Sequence, residues 1–464
     1  MKRIAIWSML ILFISSSCKK DDPEPIEYEN GTNEYVNNWI YDNLNLYYYW
    51  TDDLPNKNIE GQNPEDFFYS LLSNQDRFSW IQSNFKELLN SLQGISKEGG
   101  YEYILYNDPD RVNGVVGQIA YIKENSPAES VNLRRGDLFT HINGSILTVD
   151  NYSSLLGELK ETHSLTIKRF DFDSEEFLTE GDVSITPIQF AENPNFMDTV
   201  YSRNGKKIAY YVYNFFAVGT DDDSAAYASE MDVIFEKFKS ESVDHLVIDL
   251  RYNSGGAERA TINLASLIGS NVSDQDIFVK RKYNEGLEQA FIDEYGEESL
   301  YRTFVNKAAN IGAQLQSPQL TVITSSRTAS ASELLINGLN PFMDIFIIGD
   351  TTVGKNVGST SFYEENNNEN NWGMQPIITK SFNSLNQSDY DLGFYPDIAL
   401  KDNSLIKLQL GDVNERLLKE ALVYLAGSDE LSRQKQLKEI PSKDIMSSIE
   451  RKKLYGIYDI ELEN

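Results

Sequence analysis

Three short runs constrain this chain more than anything else in it: Leu246-Val247-Ile248-Asp249-Leu250, Leu320-Thr321-Val322-Ile323-Thr324 and Ile345-Phe346-Ile347-Ile348. Each places apolar side chains on both faces of an extended backbone. A strand of that kind must be covered on both faces, as strands are in a parallel sheet flanked by helices. The intervening segments supply the cover. Residues 224–239 put Met231, Ile234, Phe235 and Phe238 on one helical side, and 257–268 also has helical spacing. A further strand is expected over 208–214 and a last helix over 412–425. The alternation predicts an α/β core between about 205 and 425. The whole chain has 464 residues, room for two to four domains. Its 41% hydrophobic content is enough for ordinary cores. A net charge of −30 argues against nucleic acid as a partner.

Upstream the character changes twice. Between 33 and 50, Val36, Trp39, Ile40, Leu44 and Tyr47 recur at helical spacing and run into the aromatic cluster Tyr47-Tyr48-Tyr49-Trp50, which reads first as packing. A second helix is expected over 64–72, leading to Arg77-Phe78-Ser79-Trp80. Residues 32–85 thus form a small helical N-terminal domain. Residues 86–190 read as a β-module, with strands near 99–105 and 116–122 and a hairpin turn at Asn143-Gly144. Here Ser126-Pro127-Ala128, Arg134-Arg135-Gly136-Asp137 and Asn143-Gly144 resemble the PDZ domains of bacterial proteases. In such domains a peptide adds as a strand and its terminal carboxylate rests on backbone N–H groups. The matching loop is Gly100-Tyr101-Glu102-Tyr103, with 151–160 as the helix lining the groove. The plainer reading is a structural β-module.

The first 18 residues read as a targeting segment. Lys2 and Arg3 precede an apolar run over 4–14, then Ser15-Ser16-Ser17-Cys18. Cys18 is the sole cysteine, so no internal disulfide can form. Its position resembles a bacterial lipobox, with Ser15 where leucine is usual. The following Lys19, Lys20, Asp21 and Asp22 are similar to the start of lipoproteins of Bacteroidetes-type bacteria. The resemblance implies a lipid anchor at Cys18 and residence in the cell envelope at the outer membrane. An ordinary cleaved signal with a stray cysteine is the alternative. Residues 19–31 read as a flexible tether. Residues 428–464 read as a charged tail with a short helix near 441–453.

Three segments carry chemistry. Asp249-Leu250-Arg251-Tyr252-Asn253-Ser254-Gly255-Gly256 follows a strand and precedes a helix, and its paired glycines can turn amides toward an oxyanion. A tight strand–helix turn would look the same. Ser330, in Arg327-Thr328-Ala329-Ser330-Ala331-Ser332-Glu333, falls at a helix N-terminus, where the dipole and the Ala331 N–H favour negative charge. Ser330 or Ser332 as a simple N-cap, with Glu333 completing a capping box, is the rival reading. Lys355 ends Gly349-Asp350-Thr351-Thr352-Val353-Gly354-Lys355. A phosphate-binding loop would require Ser or Thr next and then a helix. Asn356 and an extended 357–362 stand there instead. The histidines His141, His163 and His245 lie outside these segments. If Ser330 is a nucleophile, a lysine with a lowered pKa is therefore the base at hand.

In order and content the three segments resemble the carboxyl-terminal-processing (tail-specific) proteases, Ser–Lys peptidases with a PDZ domain, over roughly residues 90–425. The resemblance implies a ClpP/crotonase-like α/β catalytic domain over 191–427. It implies Ser330 as nucleophile, Lys355 as general base, and an oxyanion hole from Gly255 or Gly256 with Ala331. It calls for no cofactor or metal. The expected substrates are polypeptides with free C-termini, cut through an acyl-enzyme. Many members place a glutamine four residues past the lysine; Ser359 stands there, a shorter group for orienting an amine. A catalytically weak or inactive peptide-binding lipoprotein of the same fold is the alternative, and an esterase ranks last because no G-x-S-x-G elbow is present.

Overall fold

The computed structural model describes residues 28–92, 94–220, 222–367, 369–427, 431 and 438–449. Residues 1–18 with Cys18, and the tether up to residue 27, lie outside them.

The α/β expectation holds. Strands Lys206–Tyr213, His245–Asp249, Gln319–Thr324, Asp344–Gly349 and Ile398–Ala399 run parallel side by side in that order. Asn195–Arg203 closes one edge as an antiparallel hairpin partner of Lys206–Tyr213. Helix Ala226–Ser240 buries Met231, Ile234, Phe235 and Phe238 as its periodicity requires. With helices Glu258–Ile268 and Ala331–Leu339 it covers one sheet face. Helix Arg416–Ala426 covers the other through Leu417, Leu418, Ala421, Leu422 and Leu425. The strands are therefore apolar on both sides because both sides are buried.

The β-module is an antiparallel sheet ordered Tyr101–Asn107, Val115–Ile122, Leu138–Ile142, His163–Asp171 and Glu176–Ile185. Short helices Pro127–Ser130 and Tyr152–Gly157 cap its core, and Asn143 takes a left-handed φ of 50° in the expected hairpin turn. Its outer face shares one apolar cluster with the parallel sheet: Ile104, Tyr121 and Leu138 meet Val247, Ile323 and Ile348.

Helices Asn33–Tyr47 and Pro64–Leu71 form the N-terminal piece. Val36, Ile40, Leu44, Phe67 and Phe68 pack on Val357, Met374 and Ile377, which lie beyond the parallel-sheet strand Asp344–Gly349 in the chain. Those three come from small sheets, among them Tyr301–Thr303, Ile277–Lys282, Ile377–Phe382 and Val357–Ser359 in one layer, of which only the last lies in a segment read from sequence as extended. A second correction concerns the tail. Where a short helix was expected near 441–453, Asp444–Ser447 is a strand, paired antiparallel with Tyr101–Asn107. Asp444 is exposed, Ile445 and Met446 are half-buried and Ser447 is buried, and the edge of the β-module supplies hydrogen bonds that an isolated helical turn would lack.

Candidate active site

The three chemistry-bearing segments begin at the carboxyl ends of three adjacent parallel strands, His245–Asp249, Gln319–Thr324 and Asp344–Gly349. Parallel neighbours put their following loops on the same rim, so segments separated by some 75 and 20 residues of chain converge. The loops are then stitched together. Thr328 Oγ1 donates to Leu250 O at 2.8 Å, and Ser325 Oγ donates to Arg251 O at 2.5 Å. The N–H of Val353 donates to Thr328 O at 3.0 Å.

Ser330 sits at the N-cap of helix Ala331–Leu339 with φ 56° and ψ −114°. That backbone region is sparsely populated by non-glycine residues and costs about 1–3 kcal/mol. A plain N-cap has ordinary extended dihedrals, so the cap reading leaves this strain unexplained. Gly255 shows how it is accommodated. Its φ is 113°, and a Cβ there would lie 2.7 Å from Ser330 Cβ. Only glycine lets the two loops meet at this point. The Gly255 N–H itself donates to Asn253 Oδ1 at 2.8 Å. Gly256, with φ 137°, bridges to Phe216, and a Cβ would fall 2.2 Å from Phe216 O. Ser330 is fully buried, and its Oγ has no hydrogen-bond partner among the described residues.

Glu333 holds the site together. Its buried carboxylate accepts the N–H of Ser330 at 2.9 Å and the N–H of Lys355 at 2.8 Å on the same oxygen, Oε2. The other oxygen accepts the Gly354 N–H at 2.6 Å and the Thr352 hydroxyl at 2.5 Å. The capping-box half foreseen for Glu333 is present, but the same side chain also anchors the lysine loop. Burial pushes its carboxyl pKa up, and the four donors oppose that push.

Lys355 is fully buried. Burial lowers its amine to about 8, against the opposing pull of Asp76 and Glu333. Desolvation therefore outweighs two nearby carboxylates, and the drop from 10.5 corresponds to roughly 3 kcal/mol. Part of this environment comes from the N-terminal piece, where no role was assigned from sequence. The Phe78 ring centroid lies 5.3 Å from Lys355 Nζ. Asp76 is held by the Tyr48 hydroxyl at 2.8 Å and by the N–H groups of Phe78 and Ser79, each at 2.9 Å. Arg77 reaches the carbonyls of Val353 at 2.9 Å and Asp391 at 3.1 Å. Tyr48 of the aromatic cluster is thus packing that also fixes a charge. Ser359 is buried on strand Val357–Ser359, four residues past Lys355. The element directly after the lysine is the strand Val357–Ser359, where a phosphate-binding loop would need a helix.

Behind the glycine loop lies a buried charge network. Arg251 forms a bidentate pair with Glu415 at 2.7 and 2.9 Å and also bonds Asp249. Arg135 of the β-module donates to Ala120 O and to the Tyr252 hydroxyl, and Tyr252 bonds Asp402 at 2.9 Å. The glycine loop and the β-module are therefore mechanically joined.

At the expected peptide loop, Glu102 pairs with buried Lys123 at 3.0 Å, and Lys123 also meets Glu98 and Glu192. The Tyr103 N–H, read from sequence as a carboxylate donor, is given to Ser448 Oγ at 2.9 Å. The carbonyl of Gly100 accepts from Lys123 N and Ser126 Oγ. The strand edge expected to receive a peptide is already paired with the tail.

Comparisons with known proteins point to one family. Residues 35–80 match the peptidase S41 N-terminal domain, and residues 207–400 match peptidase family S41. A carboxyl-terminal-processing protease of Picosynechococcus sp. is 25% identical over 304 residues, covering 65% of this chain and 64% of that protein's length. A crystal structure of a protein assigned to the S41 proteases in Bacteroides fragilis superposes with a TM-score of 0.70 at 26% identity, over 84% of this chain and 98% of that one. The chain belongs to peptidase family S41.

Proposed function

We propose that the chain is a serine-type endopeptidase in which Ser330 is the nucleophile and Lys355 the general base. The observation that carries the reading is the shared Glu333 oxygen, which fixes the strained serine and the buried lysine to one point. With a pKa near 8, a substantial fraction of Lys355 is neutral at mildly alkaline pH. The neutral amine takes the Ser330 proton as Oγ attacks the scissile carbonyl. The N–H groups of Gly256 and Ala331 receive the oxyanion; Gly255 serves by close packing, since its own N–H is held by Asn253. The lysine returns the proton to the leaving amine, and water then releases the acyl group. Ser359 would orient the amine in place of the glutamine. The partnerless Ser330 Oγ fits a site whose last hydrogen bond forms when substrate arrives.

The substrates would be polypeptides presented by their C-termini through the β-module, read as PDZ-like, and the chain would be held at the cell envelope by lipid on Cys18. If so, Cys18→Ala moves the protein from the membrane fraction to the soluble one with unchanged specific activity; retention after carbonate washing would contradict it. The second reading, a peptide-binding protein without turnover, draws on that same partnerless hydroxyl. Serine-directed covalent labelling separates the two. Labelling at Ser330 supports the enzyme, and an unlabelled, folded chain supports the binder. Hydrolysis of an unfolded protein should vanish in Ser330→Ala and fall at least about 10²-fold in Lys355→Arg, whose guanidinium stays protonated.

A further inference from the structure

The tail strand occupies the place a captured peptide would take. Asp444, Met446 and Ser447 pair with Tyr106, Leu105 and Ile104, so the tail runs antiparallel to the edge strand and toward the Gly100 turn. Ile445 and Met446 pack on the core that contains Tyr101, Tyr103 and Leu155, the last from helix Tyr152–Gly157. Ser448 then takes up the polar groups at the end of the groove. Its N–H donates to Tyr103 O at 3.0 Å, its hydroxyl accepts from Tyr103 N, and it also bonds Glu102.

One contact reaches the catalytic side. Asp444 pairs with Arg327 at 2.7 Å, and Arg327 stands three residues before Ser330 on the nucleophile loop. The Arg327 N–H bonds Ser325 Oγ, whose hydroxyl holds the carbonyl of Arg251 on the glycine loop. A single carboxylate on the tail is thus tied, through Arg327, to both loops that would form the oxyanion hole.

We infer that residues 444–449 are a built-in occupant of the peptide groove, exchanged for the substrate's own strand when a polypeptide engages. The inference rests on the capture reading given above and adds two features to it. The groove is occupied at rest, and it favours a segment with an acidic residue ahead of two apolar ones and a serine. Arg327 is the group that reads the acidic residue. Exchange releases Arg327 from Asp444 and offers it to the incoming segment. The tail is suited to exchange because its strand has only four residues, its apolar side chains are half-buried and Asp444 is exposed. Ile449, fully buried in the core shared by the β-module and the parallel sheet, returns it to its seat.

The test uses the full chain carrying Ser330→Ala, so that a peptide is bound but not cut. A fluorescent peptide copying residues 444–449 is titrated into this chain, into the same chain ending at Ser442, and into the same chain with Met446→Asp. Apparent affinity scales with the fraction of open grooves. Both altered chains should therefore bind roughly tenfold tighter or more. Replacing the peptide's acidic residue by lysine should remove much of that gain. Hydrogen exchange on the chain with its tail intact supplies a readout that does not depend on the altered chains folding. Saturating peptide should expose the amides of 444–449 while those of 101–107 stay protected. Equal affinity in all three chains, or a tail still protected with peptide bound, overturns the inference and leaves peptide capture standing. Binding to none of the chains overturns capture as well, while Ser330 labelling still reports on the chemistry separately.

Discussion

The surroundings of Ser330 and the tail-covered edge of the β-module solve opposite problems with similar material. Both bring together segments far apart in sequence, and both use backbone N–H groups as the binding element. At Ser330 those groups converge on Glu333, a buried carboxylate with four donors. At the edge strand they meet a short tail strand whose apolar residues are half-buried. A carboxylate with four buried donors has no cheap alternative, because releasing any one leaves a buried polar group unpaired at about 1–3 kcal/mol or more. A strand on a sheet edge has an alternative of equal quality in any other strand. The first arrangement suits a geometry that must not move, the second one that must be exchanged.

This contrast can be broken most forcefully at Glu333. Glu333→Gln keeps the shape but turns an NH₂ group toward donors. It should lower kcat by on the order of 10²–10³, as expected when a base and its nucleophile lose alignment. It should leave affinity for a tail-copying peptide unchanged. Removing a negative charge that raises the Lys355 pKa should also move the acid limb of the pH–rate profile to lower pH. An unmoved limb would mean that Glu333 does not act on the lysine. Gly255→Ala tests the close approach. An added Cβ at 2.7 Å from Ser330 Cβ must displace the serine, and a loss of roughly tenfold to 10²-fold in kcat is expected. Wild-type turnover would show that the loops can separate freely.

Stability offers a smaller test. The Lys355 pKa falls from 10.5 unfolded to about 8 folded, so the unfolded chain binds more protons between those values. The cost of the buried ammonium is in full force below pH 8, declines through that window and is gone above about pH 10.5. Lys355→Met should therefore raise the unfolding free energy near pH 7 by about 2–3 kcal/mol, with the gain shrinking as pH rises toward 10.5. An unchanged denaturation midpoint across that range would show that the lysine is not a stored cost. The smallest effect is expected at the edge. Asp444→Asn should improve peptide affinity by no more than about fivefold, the size of a partly exposed ion pair, and leave the Ser330 labelling rate of the peptide-free chain within about twofold. A larger fall in labelling would make Asp444 part of the catalytic framework rather than of the exchangeable edge.

The parallel core was legible because both-face burial writes itself into Leu246–Leu250 and its neighbours as unbroken apolar runs. Ser330, Lys355 and the paired glycines were legible because they sit in short local motifs. Glu333 was read only as a capping residue, since its contact with the Lys355 loop lies 22 residues away in sequence and leaves no local trace. Asp76 and Phe78 were passed over for the same reason: their relation to Lys355 exists only once the helical piece has docked. The tail strand was misread as helix because 444–447 is short and its partner, Tyr101–Asn107, is more than 300 residues away. Periodicity can reveal which face of a segment is buried but not what buries it.

The central claim is that a buried, deprotonatable Lys355 activates Ser330, and the rate of covalent labelling of Ser330 as a function of pH tests it most directly. The account predicts a rate that rises with unit slope from pH 6, turns near pH 8 and levels off above it, and that collapses at every pH in Lys355→Arg. A rate independent of pH between 6 and 10, or a Lys355→Arg chain labelled as fast as the wild type, would contradict it.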